Sequence, residues 1–432
     1  MHKLILLLFC IPFVGIAQVE TAKATVKKLC SSDFHGRGYV NGGDSLAANF
    51  IANAFQQAGC QPLDKNSFFQ AFDFKVNTFP NRISLTINGK QLVAGNEFVV
   101  APNSGADIAH AQQLVEVTPS EVANPKLFKN KLFQLSQGKS DRSSSKKGFA
   151  FLFFESKMGG DTLKMAREMI ANLRASYPII EVVTTKFTWS VEQAQERFPL
   201  FQVQANAVDW SSQNWTIGYV VDAKVINHTA RNVLAYVPAK KKSKKYIVFT
   251  AHYDHLGRMG QQTFFPGGND NASGIAMLLE LANYYAKNPS DVNVVFIAFA
   301  GEEVGLLGSK FFVENPLIPL EKIRFLFNLD IMGSGEEGVT IVNATLFPKE
   351  FQQLQACNVT NQFLPKIASR GPAANSDHYF FTEKGVPAFF MYTMGPNKHY
   401  HDVDDSFENL SFEKFNSIYQ LLIAFTAEIS KK

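Results

Sequence analysis

The chain has 432 residues, with 42 Lys+Arg against 38 Asp+Glu, and 46% of it is hydrophobic. This is the composition of a folded globular protein, which excludes a disordered or collagen-like chain, and the near-balanced charge gives no basic face for nucleic acid. Phenylalanine is in surplus, 40 residues against 3 Trp and 12 Tyr, so the chain promises a large apolar core.

Residues 1–17 read MHKLILLLFCIPFVGIA. Lys3 precedes an apolar run of signal-peptide length, and Gly15 and Ala17 fit a cleavage site before Gln18. We expect an exported protein, periplasmic or extracellular, with 1–17 removed. No later stretch approaches the ~18 apolar residues of a membrane span. Export permits disulfides. The mature cysteines, Cys30, Cys60 and Cys357, are odd in number; a Cys30–Cys60 pair and free buried thiols both stay open.

Residues 42–60 predict a helix with Leu46, Phe50, Ile51, Phe55 and Ala58 on one face. Alternation over 66–100 predicts strands. The pattern is less regular from 100 to 220, where FAFLFFE (149–155) reads as a buried strand and 161–176 as a helix. Beyond 230 it becomes regular. NVLAYVP (232–238), YIVFTAHYD (246–254), VNVVFIAFA (292–300), IRFLFNLD (323–330) and PAFFMYT (387–393) are apolar runs, separated by helices at 272–287 and from Ser411. The lysine-rich AKKKSKK between the first two predicts a solvated hairpin turn. Buried strands alternating with helices imply an α/β fold, a mostly parallel sheet covered on both faces.

The acids and histidines fall where these strands stop, and in open α/β sheets ligands bind outside the carboxyl ends of strands. YIVFTAHYD ends in His252, Tyr253 and Asp254, followed by His255. VNVVFIAFA runs into Glu302 and Glu303, and IRFLFNLD ends in Asp330. PAFFMYT leads to His399, Tyr400 and His401, and Asp270 opens the helix at 272. Carboxylates crowded at one site repel unless cations neutralise them. Two divalent metals do so and accept mixed His and carboxylate ligands; zinc suits this set, which contains no Cys. A metal pair needs a bridging group, and one acid must stay unligated to take a proton from water. Adjacent Glu302 and Glu303 suit that division.

These residues resemble the co-catalytic di-zinc aminopeptidases, a zinc exopeptidase family that also includes glutaminyl cyclases and some carboxypeptidases. The matching text is AHYDHLG (251–257), GGNDNASG (267–274), FAGEEVGLLGS (299–309), NLDIMG (328–333), SDHYFFTEKGVPA (376–388) and YHDVDD (400–405), with a further similarity at 35–63. The resemblance implies one zinc completed by His252 and Asp330, a second by Glu303 and His401, and Asp270 as the bridge. It makes Glu302 the general base acting on a bridging hydroxide. Asp254 would orient His252, and Tyr400 would stabilise the tetrahedral intermediate. His255 is expected in an outer or solvent contact, and Asp377 and His378 lining the site. Where some members carry an Arg before the SDH motif this chain has Asn375, and Arg370 is the nearest substitute.

The resemblance implies a discontinuous peptidase domain, 18–98 and 225–432, interrupted at 99–224 by a lid or a diverged protease-associated domain. The expected function is an exported aminopeptidase acting on peptides. A glutaminyl cyclase, another exopeptidase (dipeptidase or carboxypeptidase) and a non-catalytic binding protein are the alternatives.

Overall fold

The computed structural model describes residues 13–64, 66–137, 148–212 and 214–431, with side chains from Gln18 onward. The expected leader lies outside the described residues through residue 12, as does Cys10; the first described helix is Phe13–Leu29. Among the described residues no helix is long and apolar enough to cross a membrane.

A mixed sheet forms the centre. Four of its strands are adjacent and parallel, in the order Asn293–Phe299, Tyr246–His252, Ile323–Leu329, Ala388–Met394. Gly338–Val342 pairs antiparallel on one side, and Lys224–Val237 on the other. Helices cover both faces because the strands alternate between two apolar sets. Ile247, Phe249 and Ala251 join the core beneath helices Gly43–Ala58, Gly274–Lys287 and Phe415–Ser430, while Val248 and Leu326 join the core beneath Leu307–Glu314 and His378–Glu383. A row of phenylalanines crosses the parallel strands at paired positions. Phe249 stacks on Phe296 at 5.9 Å and on Phe327 at 5.7 Å, and Phe327 meets Phe389 edge-on at 6.1 Å. Much of the phenylalanine surplus therefore forms the dry floor of the sheet, which holds its carboxyl edge rigid.

Three expectations change. Helix Gly43–Ala58 buries Ala47, Ala48, Ile51, Ala52 and Phe55, and leaves Leu46 43% exposed. Small residues let this helix pack closely, so the buried stripe is rotated from the bulky one. The lysine-rich segment is no hairpin turn: strand Asn293–Phe299 lies between the two strands it joins. Strands between residues 83 and 100 also lie outside the first sheet. Ile83–Ile87, Lys90–Gln91 and Phe98–Val100 belong to a second, eight-stranded sheet with Asp107–Glu116, Phe149–Phe154, Ile179–Val183, Leu200–Gln204 and Thr216–Val221. Alternation marks strands without saying which sheet takes them. Here Leu85, Ile87 and Phe98 share a core with Phe201 and Ile217.

Candidate metal centre

Parallel pairing brings the strand ends to one edge. His252 is the last residue of its strand, Asp330 follows Leu329, and Glu302 and Glu303 lie just past Phe299. Asp270 sits in the buried segment Gly268–Ser273, ahead of helix Gly274–Lys287. His401 lies on the loop after Ala388–Met394, with a left-handed φ of 58°.

Five of these six side chains, all but Glu302, meet. His252 Nε2 lies 3.2 Å from Asp270 Oδ1 and 3.5 Å from Asp330 Oδ1. His401 Nε2 lies 3.1 Å from Asp270 Oδ2 and 3.2 Å from Glu303 Oε2. Asp270 thus turns one oxygen to each imidazole. With zinc bonds of ~2.0–2.1 Å, neighbouring ligand atoms of a tetrahedral ion stand about 3.3 Å apart. The observed separations fit that spacing at both positions, and the donor set fits zinc.

Each imidazole is oriented by a backbone carbonyl on its other nitrogen. His252 Nδ1 lies 3.1 Å from the Asp254 carbonyl oxygen, and His401 Nδ1 lies 2.8 Å from that of Trp189. A proton on Nδ1 leaves the Nε2 lone pair facing the carboxylates. Asp254 therefore meets His252 through its main chain; its carboxylate is 3.9 Å away. That carboxylate accepts instead from the amides of Glu302 (3.2 Å) and Glu303 (3.3 Å), and from the Tyr39 hydroxyl at 2.7 Å.

His255, Asp270 and Glu303 also offer atoms within 4.8 Å of one another. However, His255 Nδ1 is 2.7 Å from Glu303 Oε1, a hydrogen-bond length. His255 is wholly buried and steadies Glu303, whose other oxygen faces His401. Among the described residues, such donor groups contain neither Glu302 nor His401, but His401 Nε2 contacts Asp270 and Glu303, whereas Glu302 contacts neither imidazole. His399 stands apart, partly exposed, 3.4 Å from Asp402. Asp377 and His378 are buried.

Burial opposes charge on every group here, and the cluster resolves this by pairing. It disfavours a cationic His252, yet the Glu302 and Asp330 carboxylates and the contact with Asp270 raise its pKa well above the usual imidazole range. His401 is likewise raised to about 11, against burial, by Glu303 and Asp270. Burial pushes Glu302 well up, helped by Glu303, Asp377 and Asp330 and opposed by His252. The crowded carboxylates favour positive charge between the ligands, which imidazolium groups or a divalent cation can supply.

Several supporting residues lie within the matching segments, although the resemblance assigns them no role. Arg37 is wholly buried and donates to the carbonyls of Tyr253, Pro266, Gly267 and Asp270. Asp405 accepts the amides of Asn269 and Asp270 at 2.8 and 3.0 Å. Ser376 donates to Asp330 Oδ2. A Cβ on Gly38 would stand 2.4 Å from Gly257 Cα, so the HGRGY segment needs glycine to reach this loop. Beside Asp270 opens a cavity of about 370 Å³ whose wall includes Ile331, Tyr392, Met394, Lys398 and Tyr400. Arg370 reaches that wall, 3.3 Å from the Tyr392 hydroxyl. The cysteines Cys30, Cys60 and Cys357 are free and buried.

Residues 232–426 match the model of Peptidase family M28. The chain is 31% identical over 215 residues to aminopeptidase YwaD of Bacillus subtilis, covering 48% of this chain and 46% of that one. It spans about half or less of the length of that aminopeptidase and of the probable zinc metalloproteases of Pyricularia oryzae and Pyrenophora teres. Among solved structures, a zinc aminopeptidase from Bacillus subtilis shares the fold at a TM-score of 0.67 and 20% identity, over 96% of this chain and 95% of that one. A peptidase M28 precursor from Shewanella amazonensis does so at 0.63 and 16%, over 97% and 96%.

Proposed function

We propose that this chain, whose residues 232–426 belong to peptidase family M28, is an exported zinc-dependent aminopeptidase that removes N-terminal residues from peptides. The observation that carries the reading is Asp270, with one oxygen 3.2 Å from His252 Nε2 and the other 3.1 Å from His401 Nε2. His252 and Asp330 would hold one zinc, Glu303 and His401 the other, and Asp270 would bridge them. Zinc held by these residues would supply Lewis acidity and lower the pKa of bound water, so that hydroxide would be available at neutral pH.

The chain's own groups do the rest. Glu302 stays out of the ligand set and takes the proton of the attacking water. The water oxygen adds to the scissile carbonyl carbon, the C–N bond breaks, and Glu302 returns the proton to the leaving amine. Asp254 fixes Glu302 and Glu303 by accepting both their amides. Partial burial of the half-exposed Tyr400 side chain, and then the surrounding carboxylates, hold its pKa above the usual phenol range, so its hydroxyl remains a hydrogen-bond donor to the developing oxyanion. The cavity beside Asp270 and Tyr400 would take the N-terminal side chain. The second sheet is read as a diverged protease-associated domain that restricts large substrates.

The test is a panel of aminoacyl reporter peptides, run with and without a chelator, beside N-blocked peptides. Hydrolysis of free N-termini that is lost on chelation and absent for blocked peptides is expected. Cyclisation of N-terminal Gln without hydrolysis of Leu or Ala peptides would replace this reading with a cyclase. Turnover that survives full metal removal would end it.

A further inference from the structure

The loop 184–199, between strands Ile179–Val183 and Leu200–Gln204 of the second sheet, leaves its own domain and lies against the metal centre. Trp189 makes two main-chain hydrogen bonds to His401: its carbonyl faces His401 Nδ1 at 2.8 Å, and its amide donates to the His401 carbonyl at 3.0 Å. Lys186 Nζ donates to the carbonyls of Lys398 (2.6 Å) and Tyr400 (2.9 Å) and to Asp402 Oδ2 (2.7 Å). Every acceptor flanks His401.

The loop is itself anchored. The Trp189 ring is buried, lies parallel to Phe265 at 4.6 Å, and donates to the Val100 carbonyl at 2.6 Å. On the other side, Gln193 Nε2 donates to the carbonyl of Val304, the residue after Glu303, at 3.1 Å. Among the described residues, none of the hydrogen bonds of 186–193 reaches His252 or Asp330. His401 needs this support, because its left-handed φ of 58° is costly for a non-glycine residue and persists only where neighbours hold it.

We propose that the inserted domain supports one side of the metal centre: loop 184–193, through Trp189 and Lys186, positions His401 and so tunes the affinity of the second metal position without tuning that of the first. This rests on the two-metal reading above. The insertion is then a part of the site as well as a cover for it, and Lys186 and Trp189 are positioning residues. The two imidazoles are held by equivalent carbonyl contacts, one from the peptidase domain and one from the insertion. Outer partners of metal-bound imidazoles are commonly worth about 10- to 100-fold in affinity.

The experiment uses the full chain, stripped of metal and titrated with zinc against a chromophoric chelator. Lys186 is accessible, with its side chain 46% exposed, so Lys186→Met should fold. We expect two zinc ions in the wild type. Lys186→Met should leave one affinity unchanged and weaken the other about 10- to 100-fold. Lys186→Arg should restore most of the loss, and the melting temperature of metal-free protein should not move. Trp189→Ala should weaken the same ion further. Two unchanged affinities in Lys186→Met overturn the proposal, as does equal weakening of both. A wild type that binds no second ion overturns the two-metal reading itself, and this inference with it.

Discussion

The Tyr39 hydroxyl lies 2.7 Å from Asp254 Oδ2, which ties the N-terminal segment to the carboxylate that also accepts the Glu302 and Glu303 amides. Asp254 is wholly buried, and burial, the largest influence, raises its pKa to about 6; it depends on these donors for its charge. Tyr39→Phe removes the hydroxyl and leaves the ring. We expect a loss of about 1–3 kcal/mol in urea unfolding, with a fall in turnover as the Glu302–Glu303 turn loosens. If neither quantity moves, Tyr39 is packing alone.

Glu302→Gln separates base from ligand. The carboxylates facing the Nε2 atoms of His252 and His401 are Asp270, Asp330 and Glu303, not Glu302, so the variant should bind zinc as the wild type does. General-base catalysis contributes about 10²–10⁴-fold, and kcat should fall by that order with KM little changed. Equal loss of zinc would make Glu302 a ligand, and unchanged kcat would place the base elsewhere.

The fold was legible where chemistry and hydropathy coincide. His252, Glu302, Glu303 and Asp330 each follow an apolar run, and parallel strands can deliver them only to one edge. The spacing of the two Asp270 oxygens is a matter of tertiary geometry that no run of letters displays. The Trp189 carbonyl is a backbone atom with no side-chain signature, so its contact with His401 leaves no trace in the sequence. Arg37 and Asp405 also act on main-chain groups, through carbonyls and amides respectively. In YHDVDD nothing distinguishes Asp405 from Asp402 and Asp404 until the loop is folded. The assignment of strands 83–100 to the second sheet is hidden for a related reason, since they alternate in the same way whichever sheet receives them.

Removing metal should destabilise as well as inactivate. Without cations the buried carboxylates of Asp270, Glu303 and Asp330 face one another across the His252, His401 and His255 imidazoles alone. Zinc at a hundred times its dissociation constant adds about 2.7 kcal/mol per site to a protein that binds it only when folded. Scanning calorimetry should therefore show a melting temperature several degrees lower after chelation and restored by zinc. A transition indifferent to metal would show that the ions do not bind this cluster.

Glu280 gives a pH prediction away from the metal centre. It is buried on helix Gly274–Lys287, and burial raises its carboxyl to about 7, with Lys287 pulling weakly the other way. The folded state therefore holds a proton that the unfolded chain releases from about pH 4.5 upward. Wherever the folded state binds more protons, stability falls as pH rises. The penalty should be absent below about pH 4.5, build up to about 7, and stay constant above. Glu280→Gln keeps the shape and removes the charge. Its gain in melting temperature over the wild type, measured on metal-free protein, should be smallest near pH 4.5 and largest above pH 7. A gain independent of pH across that window would mean that Glu280 ionises in the folded protein as it does in water.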